Sequence, residues 1–191
     1  MSRDLMRSDE IKAFVRDAYR AVNGSTTRVA ERLYSPEELA LVPESARNGA
    51  LGLGNHVQLA RIEPGATVLD LGCGSGTDTI LAAHQTGPTG RVIALDFLPE
   101  MLERTAQAAR DAGLGNVETL EAEIEELPLP DASVDVVISN GVVNLSPRKA
   151  RVLAECARVL RRGGELCVSD LTIDEDDLPP EVLTHPAAWA D

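Results

Sequence analysis

The chain has 191 residues, 43% hydrophobic and 26% charged, enough for one domain with a real core and unlike a disordered chain. With 31 acidic against 18 basic residues the net charge is -13, and aromatics make up 3%, which argues against nucleic acid, an anionic lipid surface or base stacking as the main partner. No apolar run has membrane-spanning length and no secretory leader is evident, so a cytoplasmic chain is expected.

In chain order, Ile11, Phe14, Val15, Ala18, Tyr19 and Val22 recur at helical spacing and predict a helix from Ser8 to Val22, ended by Asn23-Gly24. The stretch from Gly24 to Thr27 reads as a loop. Ser35-Pro36-Glu37-Glu38 is a capping box with proline at the first helical position, so a short helix starts there. Asn48 to Asn55 is glycine-rich and loop-like, and a brief helix is expected from His56 to Ala60.

From Pro64 strands and helices alternate. Predicted strands are Thr67 to Leu71, Arg91 to Leu95, Asn116 to Leu120, Val134 to Ser139 and Glu165 to Ser169. Predicted helices are Asp78 to His84, Pro99 to Ala112 before Gly113, and Ser146-Pro147 to about Leu160, closed by Gly163-Gly164. Such units give an α/β, Rossmann-like, doubly wound and mostly parallel sheet, with helices on both faces and N-terminal helices beside it. The expected organisation is a helical cap over residues 1–60, a core over 61–173 and an acidic tail over 174–191.

The first strand runs into Asp70-Leu71-Gly72-Cys73-Gly74-Ser75-Gly76-Thr77. Glycines at a strand end let a ligand approach the backbone. A dinucleotide site has G-x-G-x-x-G, but Thr77 breaks that spacing, which weakens a nicotinamide oxidoreductase reading. A pyrophosphate also sits poorly above Asp70, whereas the ammonium and sulfonium of S-adenosylmethionine suit it. Asp96 ends the second strand, 20 residues beyond Gly76, at the position of a carboxylate that accepts ribose hydroxyls. After the third strand, Glu123 is placed to accept from an adenine amino group and Ile124 to cover the ring. Asn140, after the fourth strand, is placed to hold the methionine part by its amide or backbone. A solvated acidic loop and a turn residue are the plainer readings of Glu123 and Asn140.

Taken together, these motifs and the later Arg158-Val159-Leu160 and Gly163-Gly164 resemble, from Arg61 to Asp170, class I S-adenosylmethionine-dependent methyltransferases. A narrower resemblance, to the arsenite methyltransferase group, rests on Leu33 to Glu38, Gly52 to Asn55, Val92 to Met101, Glu123 to Glu125 and Ile138 to Ser146. It implies a cofactor-covering helix carrying Tyr19, and cofactor contacts from Cys73 in the loop and from Phe97 and Met101 after Asp96. It also implies arsenic-binding cysteines, yet this chain has Ser25, Thr26, Thr27, Leu53 and Gly141 at such positions.

Cys156 and Cys167 read as small core residues, and the three cysteines form neither a disulfide framework nor a metal site. His56, on the glycine-rich loop, is a candidate to face an acceptor, while His84 and His185 read as helix surface and tail. No catalytic base is assigned. Five strands without the C-terminal hairpin implied by the resemblance leave an edge for a homodimer or a partner chain to complete. The expected activity is methyl transfer from S-adenosylmethionine to a small-molecule acceptor. The rival is a truncated or non-catalytic cofactor-binding subunit working with a partner chain.

Overall fold

A computed structural model describes residues 27–172 and the isolated positions 13, 16 and 17. The chain divides into two units, Gly24–Asp170 and a second made of Met1–Asn23 with Leu171–Asp191. In the second, Ala13, Arg16 and Asp17 are helical and exposed. Most of the helix expected from Ser8 to Val22, with Tyr19, lies outside the described residues, as does His185.

The larger unit is built on five strands: β1 (Thr67–Leu71), β2 (Arg91–Asp96), β3 (Val117–Glu121), β4 (Val134–Asn140) and β5 (Leu160–Ser169). Their order is β3-β2-β1-β4-β5 and every pairing is parallel. The three central strands are almost wholly buried because their side chains are apolar on both faces, as a sheet covered on both sides requires. The chain leaves β1 toward β2 and β3, then returns to lay β4 on the other side of β1. The crevice between β1 and β4 is therefore the topological switch point, where ligands bind in open α/β sheets.

The helices are α1 (Thr27–Leu33), α2 (Pro36–Leu41), α3 (Glu44–Arg47), α4 (Thr77–Thr86), α5 (Pro99–Asp111) and α6 (Lys149–Val159). On one face Ile80, Leu81, Ala82 and Ala83 of α4 and Ala108 and Ala109 of α5 pack with Val68, Val92, Val136 and Ile138, joined by Tyr34 and Leu39. On the other, Val152, Cys156 and Val159 of α6 cover Leu69, Leu71, Ile93, Leu95 and Val137. The capping box forms as expected: Ser35 Oγ accepts from Glu38 N at 3.2 Å and Glu38 Oε2 from Ser35 N at 2.8 Å. Glu38 also accepts from Asn55 Nδ2 at 2.9 Å, which ties α2 to the loop before β1.

Three expectations need correction. Gly163-Gly164 does not close α6: the helix stops at Val159 and β5 begins at Leu160, with a register shift opposite Val134 to Val136. The two glycines lie inside the strand beside this irregularity, and Arg161 pairs with Asp135 there. His56 to Ala60 is a single turn, closed by Ala60 N donating to His56 O at 2.9 Å, too short to propagate as a helix. Of the loop expected at Gly24 to Thr27 only Thr27 lies among the described residues, and it opens α1; α3 adds a turn of helix before the glycine-rich stretch.

One network holds the long 122–133 connection to α6. Glu155 Oε2 accepts from Leu127 N at 2.9 Å and from Arg158 Nη2 at 2.8 Å. Arg158 also donates to Leu127 O, Leu129 O and Asp131 Oδ1. The Arg158 guanidinium, with help from the Leu127 amide, holds the Glu155 carboxyl down at about 2. We expect Glu155→Ala to cost about 2 kcal/mol, because it orphans a buried amide and one arm of Arg158. With the folded pKa below the unfolded one, this stabilisation is whole above the ordinary carboxylate range and is lost as pH falls toward 2. The gap between the melting temperatures of wild type and variant therefore narrows in acid, which a pH series of thermal melts checks.

Candidate cofactor site

The loop from Gly72 to Gly76 is laid onto the end of β2. Gly72 N and Cys73 N both donate to Leu95 O, at 2.8 and 2.9 Å, and Gly74 N donates to Asp96 Oδ2 at 3.1 Å. Gly72 has φ +73°, and a β-carbon there would stand 2.5 Å from Val142 Cγ2, so a side chain is excluded twice over. At Gly74, with φ +53°, a β-carbon would meet nothing within 4 Å. The loop is therefore open on this side, beside the carboxyl ends of β1 and β2.

Three carboxylates surround the loop. Asp70, 2% exposed, accepts from Thr79 Oγ1 at 2.5 Å. Its pKa is pushed up to about 8, first by burial, then by the Asp78 charge and more weakly by Asp96, against the opposing Thr79 hydrogen bond. Asp96 accepts from Gly74 N through Oδ2 and from Leu98 N through Oδ1 at 3.0 Å; burial raises it, and these backbone amides oppose the rise. Asp78, in the first turn of α4, accepts from Tyr34 Oη at 2.7 Å and Asn140 Nδ2 at 3.0 Å. Among the described residues no basic side chain pairs with any of the three. Both oxygens of Asp78 are taken by Tyr34 and Asn140, so Asp70 and Asp96 are the acceptors left for a ligand with a positive charge and hydroxyl groups, and they disfavour a phosphate.

The other expected contacts are dispersed around this centre. Cys73 is turned into a small apolar cluster with Ala94 and Leu102, and burial raises its thiol well above the ordinary range. Phe97 is half-buried after β2, and Met101 is buried on α5. Glu123 is exposed on the loop after β3, and Ile124 packs partly against the core on the α6 face. The amide of Asn140 is engaged within the protein, with Leu53, Gly54 and Asp78. Cys156 is fully buried, and Cys167 Sγ donates to His56 O at 3.3 Å. The His56 ring is buried, and among the described residues neither of its nitrogens has a hydrogen-bond partner; His84 is exposed. Tyr34 and Asp78 also belong to this neighbourhood, joined by their hydrogen bond, although no contiguous motif marks them. The sequence signal for them was an acidic residue in the first helical turn after the glycines and a tyrosine beside the capping box.

A family model described as a methyltransferase domain matches residues 62–190. The chain is 44% identical over 167 residues to an arsenite methyltransferase of Halobacterium salinarum, covering 84% of this chain and 42% of that protein. Over 115 residues it is 40% identical to a demethylmenaquinone methyltransferase of Listeria welshimeri, covering 60% of this chain and 48% of that one. A crystal structure of an arsenic(III) S-adenosylmethionine methyltransferase from Chlamydomonas reinhardtii superimposes with a TM-score of 0.69 at 38% identity, covering 92% of this chain and 54% of that chain. The chain thus spans about half the length of the relatives it matches.

Proposed function

Because the chain belongs to the methyltransferase-domain family, close to the arsenite methyltransferases, we propose that it transfers a methyl group from S-adenosylmethionine to a small-molecule acceptor. One observation supports this most: the open backbone at Gly74 donates to Asp96, and among the described residues neither Asp96 nor Asp70 pairs with a basic side chain. Asp96 would take the ribose hydroxyls with its remaining lone pairs, beside Phe97 and Met101. Gly72, Gly74 and Gly76 would bring backbone against the ligand, and Asp70 would face its cationic amino-acid end. Glu123 and Ile124 would receive the base. Bound there, S-adenosylmethionine supplies an electrophilic methyl on a sulfonium.

The protein's own task is placement, since an acceptor with a free lone pair needs no general base but must approach in line. The acceptor side is flanked by Val142, packed on Gly72, and by Leu53, 3.4 Å from where a β-carbon on Gly141 would stand. Leu53 and Gly141 are apolar or small residues where the arsenite methyltransferase resemblance implies thiolates. Arsenite would therefore arrive with external thiols such as glutathione, because soft arsenic requires soft ligands; otherwise the acceptor is a small organic molecule. Among the described residues no helix is long and apolar enough to cross a membrane.

Calorimetric titration of the chain with S-adenosylhomocysteine tests the reading. Saturable binding at one site in the micromolar range is expected, and a folded chain that binds nothing overturns it. Binding without turnover of any acceptor would favour a cofactor-binding subunit that works with a partner chain.

A further inference from the structure

The side chain of Asn140, at the end of β4, joins four stretches of chain that are far apart in sequence. Its Oδ1 accepts from Leu53 N at 2.7 Å and Gly54 N at 3.4 Å. Its Nδ2 donates to Gly54 O at 2.9 Å and to Asp78 Oδ2 at 3.0 Å. The other oxygen of Asp78 is taken by the Tyr34 hydroxyl at 2.7 Å. The approach is close: a β-carbon on Gly52 would collide with the Asn140 carboxamide. Both oxygens of Asp78 are thus bonded by neutral donors that come from outside its own helix.

The place of this network gives it a role. Asp78 stands in the first turn of the helix that follows the glycine loop. Leu53, carried by the pinned segment, lies against Gly141, and Gly141 is next to Val142, which packs on Gly72. The segment is therefore continuous with the wall of the crevice at the switch point, on the side away from Asp96. Leu53 in it, and Leu51 just before it, are 41% and 39% exposed, so they are available to a ligand. We propose that Asn140, Asp78 and Tyr34 are positioning residues: a latch that seats residues 52–54 on the end of β4 and so fixes the acceptor-side wall, without holding the cofactor. The inference rests on the methyltransferase reading for the word acceptor and on geometry alone for the latch.

Amide hydrogen exchange on the full chain, read together with S-adenosylhomocysteine titration, tests it. In Asn140→Ala, exchange at Leu53 and Gly54 should accelerate at least about tenfold while amides of β1 and β4 keep their protection, because only local opening is made easier. Asp78→Ala should give the same local signature. Asp78→Asn, which keeps one acceptor oxygen, should retain most of the protection. Affinity for S-adenosylhomocysteine should stay within about threefold in Asn140→Ala and Tyr34→Phe where they fold; the Asp78 variants are read by exchange alone, because the Asp78 charge also acts on Asp70. If Asn140→Ala does not fold, Tyr34→Phe removes a single hydroxyl and should show the signature at lower amplitude. Unchanged exchange at Leu53 and Gly54 overturns the latch. A fall in cofactor-product affinity in step with the exchange overturns the acceptor-side assignment. Failure of the wild type to bind S-adenosylhomocysteine counts against the methyltransferase reading, while exchange still decides whether the latch exists.

Discussion

Asp96→Ala is expected to weaken S-adenosylhomocysteine binding by about a hundredfold or more, from the loss of two hydrogen bonds between hydroxyls and a charged acceptor at roughly 1.5–3 kcal/mol each. The effect has a second source. The carboxylate holds Gly74 N and Leu98 N, so its removal also frees the open strand of the loop and the entry to α5. Asp96→Asn keeps one carbonyl acceptor and should fall between the two. Calorimetric titration of the three proteins at one pH gives the order. A variant without the carboxylate that binds as tightly as wild type would place the ribose elsewhere.

The second large effect is expected from Asp70. Its folded pKa, about 8, lies far above the usual range for an exposed aspartate. Between those values the folded chain holds a proton that the unfolded chain has released. Stability therefore falls as pH rises from about 4 to 8 and levels off above that. Asp70→Asn removes this dependence. Without ligand it should be more stable than wild type at pH 8, by roughly 2 kcal/mol or some 5 °C in melting temperature, and the difference should vanish near pH 4. The same variant should bind S-adenosylmethionine poorly, because an amide cannot give up a proton to become the counter-charge of a cationic ligand. In the wild type at pH 7, binding of that cation should expel up to about one proton, seen as a dependence of the titration enthalpy on the buffer's ionisation enthalpy.

Most of the sheet was legible because its signals are local. The run from Thr67 to Leu71 is apolar, of strand length and stopped by glycine, and the strand has those bounds. Pro99 marked the start of α5, with Gly113 just beyond its end. Gly163-Gly164 misled because the same pair serves as a helix stop or as an irregularity within a strand, and only pairing with β4 distinguishes them. The turn at His56 was expected as a brief helix, but it is a single turn, too short to propagate. At the site, Asp70, Asp96 and the glycines follow from a motif that is contiguous in sequence. Asn140 was placed on the correct strand end, yet its partners Leu53 and Asp78 are 87 and 62 residues away, and no pattern within one window announces such a meeting.

The segment from Leu53 to Arg61 has a consequence for how the chain comes to be folded. Its bonds to the sheet run forward to distant residues: Leu53 to Asn140, His56 to Cys167 and Arg61 to Glu165, separations of 87, 111 and 104. A ribosome emits this segment well before the strands that receive it. The alternating units from β1 to β4 can meet through nearer neighbours, but this stretch must wait for β5 to clear the exit tunnel. It is therefore among the last pieces to dock, and a chain caught partway through synthesis would expose it to proteases while the middle of the sheet was already protected.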